Sequence, residues 1–190
     1  MRLHIIIGST RPGRAGKPVA DWFLGRAKAD GRFDVELVDL KDVALPLLDE
    51  VKHPRLQQYE HEHTKAWSRS VASADAFVFV TCEYNYGYPA ALKNAIDTVL
   101  KEWAKKPIGF VSYGGVAGGT RAVQQLRQVI GALDAVDLTD AVHIPFVARQ
   151  ISEDRTMFAP TPQNEKAAEG LLDALAAWAA VLKPFRETAG

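Results

Sequence analysis

Three short apolar runs constrain this chain most. Residues 3–7, 76–80 and 107–111 are almost free of charge, and the first ends at Gly8-Ser9. Runs of this kind read as strands buried on both faces of a parallel sheet, because helices must cover both sides of the pleat. Residues 33–40 alternate apolar and polar, predicting a strand near the sheet edge with one face partly wet. A fifth strand is expected within residues 141–147.

Between these runs the apolar period changes to that of a helix. Val19, Ala20, Phe23, Leu24 and Ala27 mark a helix from about Gly16, with Pro18 tolerated in its first turn and Gly31 as its stop. Further helices are predicted over residues 61–73, along the face Ala91, Leu92, Ala95, Ile96, Val99 and Leu100, over 120–133, and over the Ala/Leu-rich segment 163–183. Right-handed crossovers then give an α/β fold, a doubly wound five-stranded parallel sheet with helices on both faces. With 190 residues, one domain spanning 1–190 is expected.

Charge and cysteine content narrow the function classes. Twenty-three basic residues balance 23 acidic ones, so no global field draws the chain to nucleic acid or to an anionic membrane. The longest apolar run, residues 174–182, is too short to cross a bilayer, and residues 3–7 are too short for the core of a signal peptide. Cys82 is the one cysteine. It has no partner for an internal disulfide, which fits a cytoplasmic location.

Ligands of such sheets bind beyond the carboxyl ends of the strands, so the loops after strands one, three and four carry the functional signal. The first, residues 8–16, combines Ser9, Thr10, Arg11, Arg14 and Gly16 in a glycine-rich turn before a helix, which suits a phosphate. Arg14-Ala15 stands where a Walker A loop needs Lys-Ser/Thr, and the dinucleotide pattern GxGxxG is absent. A phosphate held without metal, as in a mononucleotide flavin, is the reading left. The second loop, residues 81–89, presents Glu83, Tyr84, Asn85 and Tyr86, with Tyr88 beyond, a surface suited to a flat heteroaromatic ring. The third, residues 112–120, offers Ser112, Tyr113, Gly114 and Gly115 for close approach of backbone to a ligand.

Gly8-Ser9-Thr10-Arg11, the run from Glu83 to Asp97 (EYNYGYPAALKNAID), and Ser112-Tyr113-Gly114-Gly115 resemble the NADPH-dependent FMN reductase family. Residues 45–50 share the likeness, which extends over about residues 3–133. The resemblance implies a flavodoxin-like fold, bound FMN, NAD(P)H as co-substrate, a small-molecule electron acceptor such as a quinone, azo compound, chromate or free flavin, and a homodimer or homotetramer. It implies that Ser9, Arg11, Arg14 and Gly16 surround the FMN phosphate. It also implies that Glu83, Tyr84, Asn85 and Tyr86 border the ring and that Ser112, Tyr113 and Gly114 lie near its pyrimidine end. Cys82 departs from the family, which usually has proline there. No catalytic side chain is expected, since the flavin itself carries the hydride. Two other readings stand beside this one: an FMN-binding electron carrier or regulatory protein without turnover, and a Rossmann dehydrogenase binding NAD directly. Single-electron carriers are usually strongly acidic, and the balanced charge argues against that one.

Other residues carry blander expectations. Cys82 reads as a packing residue; as a phosphatase nucleophile it would need basic and glycine residues after it, and Glu83 follows instead. His61 and His63, two apart on a helix, should point to different faces, so polar surface is expected there and no metal site. Trp67, Trp103 and Trp178 are expected in core or interface.

Overall fold

Leu3, Ile5 and Ile7 lie on one side of the first strand and His4 and Ile6 on the other, and all five are buried. A computed structural model describes residues 1–187. Its strands are β1 (Arg2–Ile7), β2 (Asp34–Asp39), β3 (Ala76–Cys82), β4 (Pro107–Tyr113) and β5 (Val136–Ile144). They form one parallel sheet in the order β2-β1-β3-β4-β5, the flavodoxin-like order. The helices are α1 (Gly16–Asp30), α2 (Leu40–Val43), α3 (Glu62–Ser73), α4 (Ala90–Thr98), α5 (Thr120–Gly131) and α6 (Pro162–Glu187).

Period-two alternation divides the core into two layers. Leu3, Ile5, Ile7, Val78, Val80, Cys82, Val111 and Tyr113 face α1 and α6. Ile6, Phe77, Phe79, Ile108 and Phe110 face α3, α4 and α5. Trp67 and Trp103 are buried in the second layer, with indole N–H groups donating to the carbonyls of Ala95 and Ile96 at 2.7 and 3.1 Å. Trp178 lies instead on the outer face of α6, exposed beside Val181 and Phe185.

Three differences from the sequence reading have local causes. The strand expected within 141–147 begins earlier, at Val136, and ends at Ile144. It is an edge strand with a register shift opposite Ile108 and Phe110, and its exposed Thr139 and Asp140 break the apolar run. The α4 helix stops at Thr98, so Val99 and Leu100 pack from a turn rather than from a helical face. The rings of His61 and His63 stack at 5.1 Å rather than diverging, because His61 is the extended residue preceding α3 and not part of it. His63 pairs with Asp49 at 3.0 Å. Among the described residues no group of three potential ligands could hold a metal.

The long connection after β2 is pinned rather than loose. The Asn94 amide donates to the Pro46 carbonyl at 2.7 Å and accepts from the Leu48 N–H at 2.9 Å. Glu50 accepts from the N–H groups of Glu60 and His61, satisfying donors at the start of α3. Buried Glu102 accepts from Ser68 and Tyr59 hydroxyls at 2.7 and 2.9 Å.

His4 is a buried ionisable residue in the sheet. It is fully buried, stands opposite Glu36 across the β1–β2 register, and places Nε2 3.1 Å from the Glu36 carboxylate. Burial outweighs that carboxylate and lowers the His4 pKa below 6.5; burial and Arg127 lower that of His143 as well. The unfolded chain therefore takes up these protons first as pH falls. Stability should decline as pH drops through 6.5 and level off below the folded-state values. The urea midpoint should fall between about pH 7.5 and about pH 5.5, and by less in His4→Gln. An equal fall in both proteins would exclude His4 as a source of acid sensitivity.

Candidate functional site

The reversal of strand order falls between β1 and β3, and the loops after both strands leave at the same edge. A hydrogen bond of 2.7 Å between the Ser9 and Tyr84 hydroxyls ties these loops together. Ser9 is fully buried, so its hydroxyl sets the position of the Tyr84 ring and leaves the surface to its neighbours.

The first loop ends at an uncapped helix. Ala15, the residue preceding α1, has no side-chain acceptor, and no acidic residue lies in the first turn. The N-terminal amides thus present partial positive charge to the loop. Arg14 reaches back to pair with Asp39, which also accepts from the Lys41 N–H at the start of α2. Its Nε and Nη1 are buried without partners.

The second loop is a tight turn closed by Tyr84 N–H to Gly87 carbonyl at 2.9 Å and by the reverse bond at 2.8 Å. Asn85 and Tyr86 both occupy the left-handed region, with φ of 49° and 68°. Two such residues make a type I′ turn, which asparagine tolerates and tyrosine adopts at a cost of about 1–3 kcal/mol. Helix α5 supports this conformation: Gln125 donates to the Tyr86 carbonyl at 2.9 Å, and the Arg121 guanidinium lies 4.3 Å from the Tyr86 ring. Arg121 also pairs with Glu83 at 2.7 Å, leaving Glu83 Oε2 buried without a partner.

The sheet alternation separates two neighbours in the third loop. Tyr113, paired in register with Cys82, faces α1, where a Cβ on Gly16 would fall 2.5 Å from its hydroxyl. Glycine at position 16 is what lets the helix start over that ring. Ser112 faces the other way, donating to the Gly118 carbonyl and meeting His143 Nδ1, both at 2.7 Å.

A cavity of about 380 Å³ opens between the loops. Of the residues read from the sequence, Arg11, Arg14, Glu83, Tyr84, Tyr113, Gly114 and Gly115 line it. Ser9 and Gly16 lie beneath it as supports, and Asn85 and Tyr86 form the exposed tip of the neighbouring turn. Thr10 opens on a separate depression bordered by Leu45, Leu47 and Asn94, and Ser112 is on the opposite face. The sequence reading omitted Ala15, Val147 and Ala148, and more consequentially Phe146, Arg149 and Arg155, which close one wall. In a parallel sheet the loop after β5 must leave at this same edge, which is the signal that would have pointed to them.

Cys82 forms part of the floor. Burial pushes its thiol up, and the hydroxyls of Tyr84, Tyr113 and Ser9 offset that only in part. Burial also raises the Tyr84 and Tyr113 hydroxyls, so all three groups are neutral at physiological pH. The Tyr113 hydroxyl has no partner in normal hydrogen-bond geometry. Unpaired donors of Arg14 and Tyr113 thus surround one cavity with apolar walls. An anionic, partly aromatic ligand with acceptor oxygens satisfies that donor set, and FMN fits it.

A model of the NADPH-dependent FMN reductase family matches residues 1–149. An NAD(P)H-dependent FMN reductase of Schizosaccharomyces pombe is 46% identical over 134 residues, covering 70% of this chain and 66% of that protein, just under two thirds of its length. A 2-hydroxy-1,4-benzoquinone reductase of a Burkholderia species is 30% identical over 190 residues, covering 88% and 95% of the two chains. The solved structure of a flavoenzyme NAD(P)H:(acceptor) oxidoreductase from Paracoccus denitrificans superposes with a TM-score of 0.73 at 23% identity, covering 94% of this chain and 97% of that one. The fold is flavodoxin-like, and the matching family is one of oxidoreductases. The chain belongs to the NADPH-dependent FMN reductase family, whose members use FMN and NAD(P)H.

The raised thiol pKa makes Cys82 a poor nucleophile, and as the only cysteine it can be followed without ambiguity. Alkylation by iodoacetamide should be slower in the native protein than in urea, since burial both disfavours the thiolate and covers the sulfur. Equal rates would mean that the floor of the crevice is open.

Proposed function

We propose that this chain is an NAD(P)H-dependent FMN oxidoreductase that delivers two electrons to quinones or similar flat acceptors. The observation that carries the reading is the meeting of two kinds of wall in one cavity. The uncapped start of α1 lies there with Arg11 and the unpaired nitrogens of Arg14, facing Tyr84 and the Gly114–Gly115 backbone.

When bound, FMN supplies the redox chemistry, accepting a hydride from the nicotinamide and passing it to the acceptor. The chain's residues bind and orient. Arg11, Arg14 and the α1 amides hold the phosphate, with Ser9 fixing the loop through Tyr84. Glu83, Tyr84, Asn85 and Tyr86 border the ring, the turn strain being retained so that its backbone meets the polar rim. Tyr113, Gly114 and Gly115 form the opposite border, with Ser112 stiffening that loop from behind. Thr10 remains at the entrance to the first loop. No side chain needs to transfer a proton in the hydride step, in keeping with neutral Cys82, Tyr84 and Tyr113.

The quinone-reductase relative supports the acceptor class, and azo compounds, chromate and free flavin are the other acceptors proposed. The exposed Trp178, Val181 and Phe185 on α6 support self-association as a homodimer or homotetramer. A cytoplasmic setting agrees with the lone cysteine, and no helix of the described residues is long and apolar enough to cross a membrane.

Purified protein reconstituted with FMN should show flavin absorption that bleaches on anaerobic addition of NADPH or NADH and returns with a quinone. Retention of flavin without bleaching would favour the carrier reading. Arg11→Ala and Arg14→Ala should each weaken FMN binding about tenfold or more, since a charge-assisted hydrogen bond contributes about 1.5–3 kcal/mol. Unchanged affinity in both variants would remove the phosphate assignment.

A further inference from the structure

The cavity as a whole carries more positive charge than one flavin phosphate can neutralise. Four guanidiniums line the cavity: Arg11, Arg14, Arg149 and Arg155. Asp39 neutralises Arg14, and Arg121 neutralises Glu83, the acidic side chain of the lining. Among the described residues Arg11, Arg149 and Arg155 have no carboxylate within ion-pair distance. A phosphate monoester brings at most two negative charges, and three guanidiniums await them.

The loop is built to keep Arg155 unpaired. Residues 151–158 form a small hairpin, closed by the Ile151–Phe158 bridge and by Ser152 N–H to the Met157 carbonyl at 3.0 Å. The adjacent carboxylate of Asp154 is turned back onto the hairpin itself. It accepts from the Ser152 and Thr156 hydroxyls at 2.6 and 2.8 Å and from the Thr156 N–H at 3.0 Å, bonds that hold it below the usual carboxylate range. Arg155 itself has φ of 60°, and its Nε lies 4.0 Å from where a Cβ on Gly13 would stand, so its guanidinium reaches the phosphate loop from across the cavity. Arg149 lies over the Phe146 ring at 4.7 Å. That contact fixes the direction of a guanidinium without neutralising its charge. The family match ends at residue 149, just before the hairpin.

We propose that Arg149 and Arg155 form a second anion point that grips a phosphate of the nicotinamide dinucleotide, making the segment after β5 the element that recognises the reductant. This rests on the FMN oxidoreductase reading above. Two parts of the dinucleotide carry the required chemistry, the 2′-phosphate of NADPH and the diphosphate common to NADPH and NADH.

The test uses FMN-loaded wild type, Arg149→Gln, Arg155→Gln and the double variant. It measures FMN affinity by fluorescence, binding of NADP⁺ and of adenosine 2′,5′-bisphosphate by calorimetry, and KM for NADPH and NADH. Nucleotide affinity should fall about tenfold for each arginine, and FMN affinity, whose phosphate keeps Arg11, Arg14 and the α1 amides, should fall by clearly less. A rise in KM confined to NADPH assigns the 2′-phosphate, and an equal rise for both reductants assigns the diphosphate; either supports the proposal. Unchanged nucleotide binding overturns it. So does a loss of FMN affinity with nucleotide binding preserved, which would place both arginines on the flavin phosphate. Failure of the wild type to bind FMN at all would instead refute the underlying reading, so the two failures are distinguishable.

Discussion

The parallel pairing of β1 with both β2 and β3 governs the rest of this structure. The chain moves outward from β1 to β2 and then returns across β1 to add β3, so the loops after β1 and β3 leave from adjacent strands at one edge. Every later contact of the site presupposes that adjacency. The Ser9–Tyr84 hydrogen bond can form only because these strand ends are neighbours, and Tyr113 can lie under Gly16 only because β4 continues the sheet in register beyond Cys82. Ile6 and Ile7 of β1 and Phe79 and Val80 of β3 are apolar and buried on both faces, which makes the register hard to slip.

On this frame the protein tolerates several locally unfavourable features that share one location. Tyr86 and Phe146 sit in the left-handed region without being glycine, Arg14 keeps two buried nitrogens unpaired, and the Tyr113 hydroxyl is buried without a normal hydrogen bond. Individually these cost stability. Collected around one cavity they describe a surface preorganised for something anionic and flat, with rigidity supplied from outside by Arg121, Gln125 and Asp39. The electrostatics follow the same logic, since the acidic groups nearby are already committed to other partners.

Much of this was legible in the sequence because β1, β3 and β4 are buried on both faces and so read as unbroken apolar runs. The same property placed three loops at the sheet edge and identified seven of the residues that line the cavity. The remainder depended on relations that a linear pattern does not carry. Ser112 and Tyr113 are adjacent, yet the pleat sends them to opposite faces. His61 and His63 looked divergent because both were assigned to a helix that His61 in fact precedes. The start of β5 was hidden because an edge strand with a register shift has polar residues where a central strand has valines. Arg149 and Arg155 were invisible as site residues for the same reason, since their place in the cavity wall follows from the pairing of β5 and, for Arg155 beside Gly13, from the hairpin after it.

The central claim is that the first loop and the start of α1 form a phosphate site to which the aromatic turn adds a ring site. Comparing the affinities of the flavin-free protein for FMN and for riboflavin isolates the phosphate, because the ring is common to both. The account predicts that FMN binds about a hundredfold more tightly, the effect of roughly two charge-assisted hydrogen bonds. Equal affinities would contradict it.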